Sequence, residues 1–416
     1  MADDAEHPAD PPCPPPPLCP GTDRADAGAG TVPATGAGTG AGAGPVPAFR
    51  PRLPCAERLL PYLRRIDAAR LYSNRGPLVD ELERRLARLT GAPPHGLRTA
   101  ASGTLALTLA ILAHAGRGDA GGAKPLALMP AFTFVATAQA AELCGWRPVF
   151  ADVDPRRWTL DPAAVRAHPD FGRVGLILAA APYGVLPDIA GLAALQAATG
   201  VPVVIDAAAG FDALLQVPGT VSDTVPMALS FHATKGFSTA EGGAVAWTSA
   251  PGQMRVMQIA NFGFLGTRTA RSAGLNAKMS EYHAAVGLAM LDEIDATRAA
   301  QARVAGTYAR LARARGMADR LHLPPRISPA YALYEATEAA ACTRAEAALR
   351  AAGIDSRRWY GQGVDREPWY ATARPGALPV TRDLCDRLLG LPMAPDLDAA
   401  SIARIVSVLA TPGDGA

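Results

Sequence analysis

The chain has 416 residues, which corresponds to about two or three domains. Its 40 Lys+Arg against 38 Asp+Glu leave a formal net charge of +2, which argues against nucleic acid or an anionic membrane as the main partner, since neither is favoured without a large positive field. Hydrophobic residues are 49% and charged residues 19%, enough to bury a sizeable core, and no apolar run approaches the ~20 residues of a transmembrane helix.

In chain order, the first residues, MADDAEHPAD, are acidic and carry no apolar h-region, so the reading is no secretory signal and a cytoplasmic protein. Residues 1–52, with PPCPPPP and TGAGTGAGAG, are expected to form a disordered Pro/Gly/Ala-rich tail, because such composition cannot bury enough apolar surface to offset its ordering entropy. Cys13 and Cys19 lie there without a His or second Cys pair, and Cys144 and Cys385 sit in apolar helical stretches. The six cysteines therefore imply neither a metal site nor a disulfide framework.

From Ala100 a β-then-α rhythm sets in. The run TLALTLAILAHAG (104–116) is apolar nearly all round and predicts a buried helix. Helices are also expected at 136–145, closed by Gly145, and at 188–200. Strands are expected at 125–130, 148–153, 174–181, 202–207, 227–231 and 244–249. Their apolar runs lack polar alternation, as strands buried on both faces of a parallel sheet do. The pattern predicts an α/β fold, an open and mostly parallel sheet with helices on both faces. A helical pattern then runs from Ser280 to about 316 as one long connecting helix. Beyond it the composition suggests a smaller α+β domain. The expected division is a large domain over 53–295 and a small C-terminal domain with its connecting helix over 296–416.

In open α/β sheets ligands bind at the carboxyl ends of the strands, and three segments fall there. Ser102, Gly103 and Thr104 precede the buried helix; they read either as an ordinary cap or as a phosphate cradle of backbone amides, hydroxyls and helix dipole. Asp206 ends an apolar strand, where a carboxylate is costly unless it is paired. It is either a cap or a partner for a cationic ligand atom. Lys235, in SFHATKG after the strand MALSF, is either solvated or a partly desolvated amine able to attack carbonyls. Phosphate cradle, strand-end carboxylate and loop lysine, in that order, are what pyridoxal 5′-phosphate requires: an anchor, a group that keeps the pyridine nitrogen protonated, and an amine that forms the Schiff base.

These segments, together with SNRGPLVDELERRLARLTG (73–91), MPAFTFVATAQAAELCGWRPVFADVDP, PYGVLPDIAGL, VVIDAAAGFDA, GLNAKMSEYHAAVGLAMLDEID and LPVTRDLCDRLLGLPMAPDLD, resemble the DegT/DnrJ/EryC1/StrS family of sugar aminotransferases over roughly residues 60–412. The resemblance implies the fold-type I aminotransferase architecture with its cofactor. It implies Lys235 as Schiff-base lysine and acid/base, and Asp206 on the pyridinium nitrogen. Ser102, Gly103, Thr104 and Ser230 would hold the phosphate, and Phe134 would stack on the ring. Asn276 would reach the cofactor phosphate of the partner subunit, making the active site shared across a homodimer. The implied reaction moves an amino group, with glutamate as donor, to a nucleotide-linked keto sugar for a natural product or surface polysaccharide.

Several positions depart from the family pattern. Ala209 and Phe211 stand where Gln and His are common, Ala181 where His is, Lys278 where Arg is and His283 where Gln is. The first two leave room for a cyclitol or another small ketone as substrate. A non-catalytic, cofactor-binding relative is the remaining alternative, and retention of Lys235, Asp206 and the Ser-Gly-Thr turn argues against it. Lys235 also favours transamination over dehydration, because the related sugar 3-dehydratases carry His in place of that lysine. Arg357, Arg358, Trp359 and Tyr360 read either as a substrate entrance or as a solvated basic turn.

Overall fold

The computed structural model describes residues 44–120, 124–370 and 376–410. The expected tail up to residue 43, with Cys13 and Cys19, lies outside the described residues. The apolar bursts become the strands β1 (Leu97–Ala100), β2 (Leu126–Pro130), β3 (Arg147–Ala151), β4 (Val174–Ala180), β5 (Val203–Asp206), β6 (Met227–Ser230) and β7 (Gly243–Ala246). They form one sheet in the order β1-β7-β6-β5-β4-β2-β3. The inner pairs β2–β3, β2–β4, β4–β5 and β5–β6 are parallel, and β7 runs antiparallel to both β1 and β6.

The helices of this layer are α1 (Ala56–Ala69), α2 (Pro77–Leu89), α3 (Gly103–His114), α4 (Val135–Leu143), α5 (Pro162–Arg166), α6 (Ile189–Thr199), α7 (Phe211–Gln216), α8 (Ala250–Ala260) and α9 (Glu281–Asp292). Strand side chains alternate between two cores, as a period of two requires. Ile177, Val203, Ile205, Met227 and Leu229 pack with α1, α2, α6, α7 and α9. Leu176, Leu178, Val204, Ala228 and Val245 pack with α3, α4 and α8. Helices thus cover both faces, as the apolar runs predict. α3 is apolar nearly all round because the sheet and its neighbouring helices enclose it; Leu107, Leu109 and Ile111 are each at most 2% exposed, and such side chains contribute roughly 1.5–3 kcal/mol apiece.

The helical pattern from Ser280 is not one helix. It breaks between α9 and α10 (Ile294–Ala314) at Glu293, whose φ of −108° and ψ of 8° leave the helical region. At the break Asp292 pairs with Arg85 at 2.8 Å and Glu293 with Arg58 at 2.9 Å, so the acidic residues turn toward α1 and α2. A second, antiparallel sheet follows, ordered β10-β9-β8, from β8 (Leu321–His322), β9 (Ala332–Glu335) and β10 (Leu388–Leu391). It packs against α10, α11 (Ala339–Ala351) and α13 (Ala399–Ala410) around Tyr308, Tyr334, Leu349, Leu389 and Ile405. α12 (Pro379–Arg387) leads into β10.

Within residues 44–52, which composition assigns to the tail, Val46 and Phe49 have tertiary partners. Val46 is buried and pairs with Ile354, its N–H donating to the Gly353 carbonyl at 2.9 Å and its carbonyl accepting from Asp355 at 2.9 Å. This backbone pairing of Val46 joins an edge that the local composition does not reveal. No helix among the described residues is long and apolar enough to cross a membrane.

Candidate active site

The carboxyl ends of β1, β4, β5 and β6 open into a cavity of about 650 Å³. At the end of β1 the chain turns through Ser102 into α3. Ser102 caps the helix, its Oγ accepting from the Leu105 N–H at 3.2 Å. The first-turn residues Gly103 and Thr104 line the cavity, as does Ser230 at the end of β6. A side chain at residue 103 would bring its Cβ to 2.6 Å from Ser230 Cβ and 2.8 Å from Ser230 Oγ. Only glycine therefore lets the positive end of α3 close against the hydroxyl of β6. Amides, hydroxyls and helix dipole converge there on a space suited to a phosphate.

Asp206 ends β5 on the cavity floor. Its Oδ2 accepts from Thr137 Oγ1 at 2.6 Å and its Oδ1 from the Ala208 N–H at 3.1 Å. Thr137 also lies 2.7 Å from Thr133 Oγ1. Its single proton goes to the carboxylate, so Thr133 is the donor in that second bond. Burial raises the Asp206 pKa above the usual carboxylate value, opposed by these two hydrogen bonds and by the charge on Lys235. A carboxylate so placed is poised to face a cation.

Lys235 follows β6 in a turn closed by its own N–H to the His232 carbonyl at 2.9 Å. Its Nζ donates to Tyr331 Oη at 3.2 Å. Tyr331 is buried and is held edge-on by Tyr183 and Trp359, with centroids 5.5 and 5.7 Å away. Phe134 caps α4 at the cavity wall and is 57% exposed, leaving its ring free for a ligand.

One cavity thus collects Ser102, Gly103, Thr104, Phe134, Asp206, Ser230 and Lys235. Asn276 is not among them. It is exposed and pairs with Asn261, and its Oδ1 accepts from Lys278 Nζ at 2.6 Å. Of the departures from the family pattern, Ala181 and Ala209 line the cavity. Phe211 does not; it packs on Phe237 and Phe231 at 4.9 and 5.8 Å, so an aromatic core contact occupies the position usual for His. Arg357, Arg358, Trp359 and Tyr360 line the cavity as well.

Three site residues carry no plain sequence signal. Thr133 precedes Phe134, the N-cap of α4, and Thr137 lies in the first turn of that helix; nothing in TFVAT marks either as a partner of the Asp206 site. Tyr331 lies 96 residues beyond Lys235, and nothing local in SPAYALYEA points to it.

A doubly wound α/β sheet with a phosphate cradle, a buried strand-end carboxylate and a cavity lysine defines an enzyme site for a phosphorylated cofactor that works through an amine. The chain belongs to the DegT/DnrJ/EryC1/StrS aminotransferase family, whose model matches residues 55–410. It is similar to Protein Rv3402c of Mycobacterium tuberculosis (strain ATCC 25618 / H37Rv), with 32% identity over 88% of this chain and 89% of that one. It is 30% identical to the UDP-2-acetamido-2-deoxy-3-oxo-D-glucuronate aminotransferase of Pseudomonas aeruginosa, covering 80% of this chain and 90% of that one. Among solved structures it resembles DesI in the presence of its TDP-sugar product, at a TM-score of 0.78 and 28% identity over 90% of this chain and 94% of that one. The expected class stands: a sugar-aminotransferase family member of fold-type I architecture, an enzyme whose cofactor is pyridoxal 5′-phosphate.

Proposed function

We propose that the protein transfers an amino group, with glutamate as donor, to the ketone of a nucleotide-linked sugar. The product is an amino sugar for a natural product or surface polysaccharide, made in the cytoplasm. The observation that carries the reading is the single cavity in which Lys235, Asp206 and the Ser102–Thr104 turn meet. Relatives named for transamination of nucleotide-linked sugars support the substrate class.

The residues fit the cofactor. Ser102, Thr104, Ser230 and the amides opening α3 are the phosphate holders. Asp206, fixed by Thr137 and Ala208, is the partner of the ring nitrogen, and Phe134 covers the ring face. Pyridoxal 5′-phosphate, when bound, supplies a carbonyl that condenses with amines and a ring that accepts electrons. Lys235 Nζ would be the group that takes up and gives back the proton of the 1,3-shift. Tyr331, accepting from Lys235 Nζ, keeps that amine turned into the cavity. Donor and acceptor visit in turn, so the kinetics are ping-pong.

Asn276, outside this chain's cavity, reaches the partner's cofactor phosphate in a homodimer. Residues 53–295 act as the large domain and 296–416 as the small one. Velocity sedimentation of active protein as a monomer alone would refute the shared site.

The central test is optical. The purified protein should show visible cofactor absorption that borohydride bleaches, and Lys235→Ala should lose the reducible bond and turnover. Wild type without that absorption, or an alanine variant with full turnover, ends the reading. A cyclitol or other small ketone as acceptor is the second reading, favoured by the alanines at 181 and 209 in the cavity wall. Absence of binding to every nucleotide sugar tried would select it.

A further inference from the structure

The two arginines of the Arg357–Tyr360 segment have different surroundings. Arg358 is engaged: Nε meets the Glu346 carboxylate at 3.0 Å, one terminal nitrogen donates to Thr343 Oγ1 at 3.1 Å, and the other to the Asp386 carbonyl at 3.2 Å. Arg357 is fixed only through its backbone. Its N–H donates to the Gly390 carbonyl at 3.0 Å and its carbonyl accepts from the Gly390 N–H at 2.7 Å, which makes this segment a short extension of the small sheet beside β10. The Trp359 indole lies against the bare Cα of that same glycine, where a Cβ would come within 2.6 Å of Nε1. Phe49 closes over Trp359 edge-on at 5.3 Å.

This clamp holds Arg357 on the cavity wall, and its guanidinium makes no hydrogen bond, ion pair or ring contact with another described residue. The cavity's carboxylates do not neutralise it. Asp206 is held by Thr137 and Ala208, Glu241 lies 3.7 Å from His232, and Glu367 forms no ion pair with Arg357 among the described residues. A guanidinium is a planar fork that matches two oxygens of one anion, and a fixed backbone lowers the ordering cost of meeting it.

We infer that Arg357 is an anion-binding residue of this cavity, taking the oxyanion of a reactant through its fork. The inference rests on the transaminase reading for the two anions on offer, the carboxylate of the amino donor and the diphosphate of the sugar nucleotide.

The test uses holoenzyme with Arg357→Gln and Arg357→Lys, titrated calorimetrically with 2-oxoglutarate and, separately, with UDP. The glutamine variant should bind one of the two roughly 10- to 100-fold more weakly than wild type. The lysine variant should fall between, because it keeps the charge and loses the fork. A loss confined to 2-oxoglutarate assigns the donor carboxylate, and a loss confined to UDP assigns the diphosphate. A loss of both places the two reactants on one residue in turn. Affinities of the glutamine variant within about twofold of wild type for both ligands overturn the inference, as does a wild-type holoenzyme that binds neither. Failure of the transaminase reading shows elsewhere, as a wild-type protein without a borohydride-reducible cofactor bond. Since Arg357 is exposed and its backbone bonds survive substitution, the variants should keep the wild-type visible spectrum.

Discussion

At the scale of single residues, the cavity depends on what is missing as much as on what is present. Gly103 lets α3 meet Ser230, and Gly103→Ala would force a 2.6 Å contact on that seam. The expected result is a folded protein whose cofactor affinity, read by titrating the visible absorption, falls by at least about tenfold. Unchanged affinity would place the phosphate somewhere else. Tyr331 makes the opposite case, a group present without local warning. Tyr331→Phe removes the acceptor of Lys235 Nζ and leaves the packing on Trp359 and Tyr183. We expect kcat to fall about five- to tenfold with KM near wild type, as for an interaction that matters to the reacting amine. A change in KM alone would assign the phenol to substrate binding.

Elements are tied together by carboxylates that cap helices distant in sequence. Glu281, fully buried at the start of α9, accepts from the Leu78 and Val79 N–H groups at 2.8 and 3.0 Å and so caps α2. Gly76 precedes that helix, and a Cβ there would lie 2.7 Å from the Glu281 carboxyl carbon, which gives the Gly-Pro entry segment its physical reason. Asp152, just after β3, likewise takes the Val380 and Thr381 N–H groups at 2.8 and 2.7 Å and caps α12. Glu281→Ala should cost about 1–3 kcal/mol in chemical denaturation, because two buried amides lose their acceptor. Gly76→Ala should cost a similar amount, and the double variant should be clearly less than additive. Full additivity would mean that the glycine serves another purpose. The strands and the helices α3, α4 and α6 were legible in sequence because they rest on short apolar periods. The caps were not, since their partners stand 203 and 228 residues apart. The break at Glu293 was also hidden, because no Gly or Pro marks it and its acidic residues pair with side chains of α1 and α2.

Across the whole molecule the site straddles a seam. The cradle, Asp206 and Lys235 come from the large sheet, whereas Tyr331 and Arg357–Tyr360 come from chain that builds the small one. The three strand-end segments were readable because each is a local pattern, while the groups opposite them arrive only through tertiary packing. Asp212 of α7 sits on this seam, accepting from Ser328 Oγ at 3.3 Å, with Gly236 of the lysine turn against it. Burial pushes its carboxyl up to about 6. A raised carboxyl pKa favours the protonated acid in the folded state. Its stabilising contribution is therefore complete below about pH 4 and is lost as pH rises through about 6. Two pKa units correspond to at most about 3 kcal/mol. Asp212→Asn should remove that loss, so its unfolding free energy should decline less than wild type's between about pH 4 and pH 7. Parallel declines would show that Asp212 does not titrate in this range.

The divided origin of the pocket has a practical consequence for redesign. The cradle, Asp206 and Lys235 are anchored in one slab of the molecule, and the arginine proposed to meet incoming anions hangs from another. On the proposed role of Arg357, selection or engineering can rewrite taste at that position while the reactive centre stays as it is, provided Trp359 and the glycine beneath it are left alone.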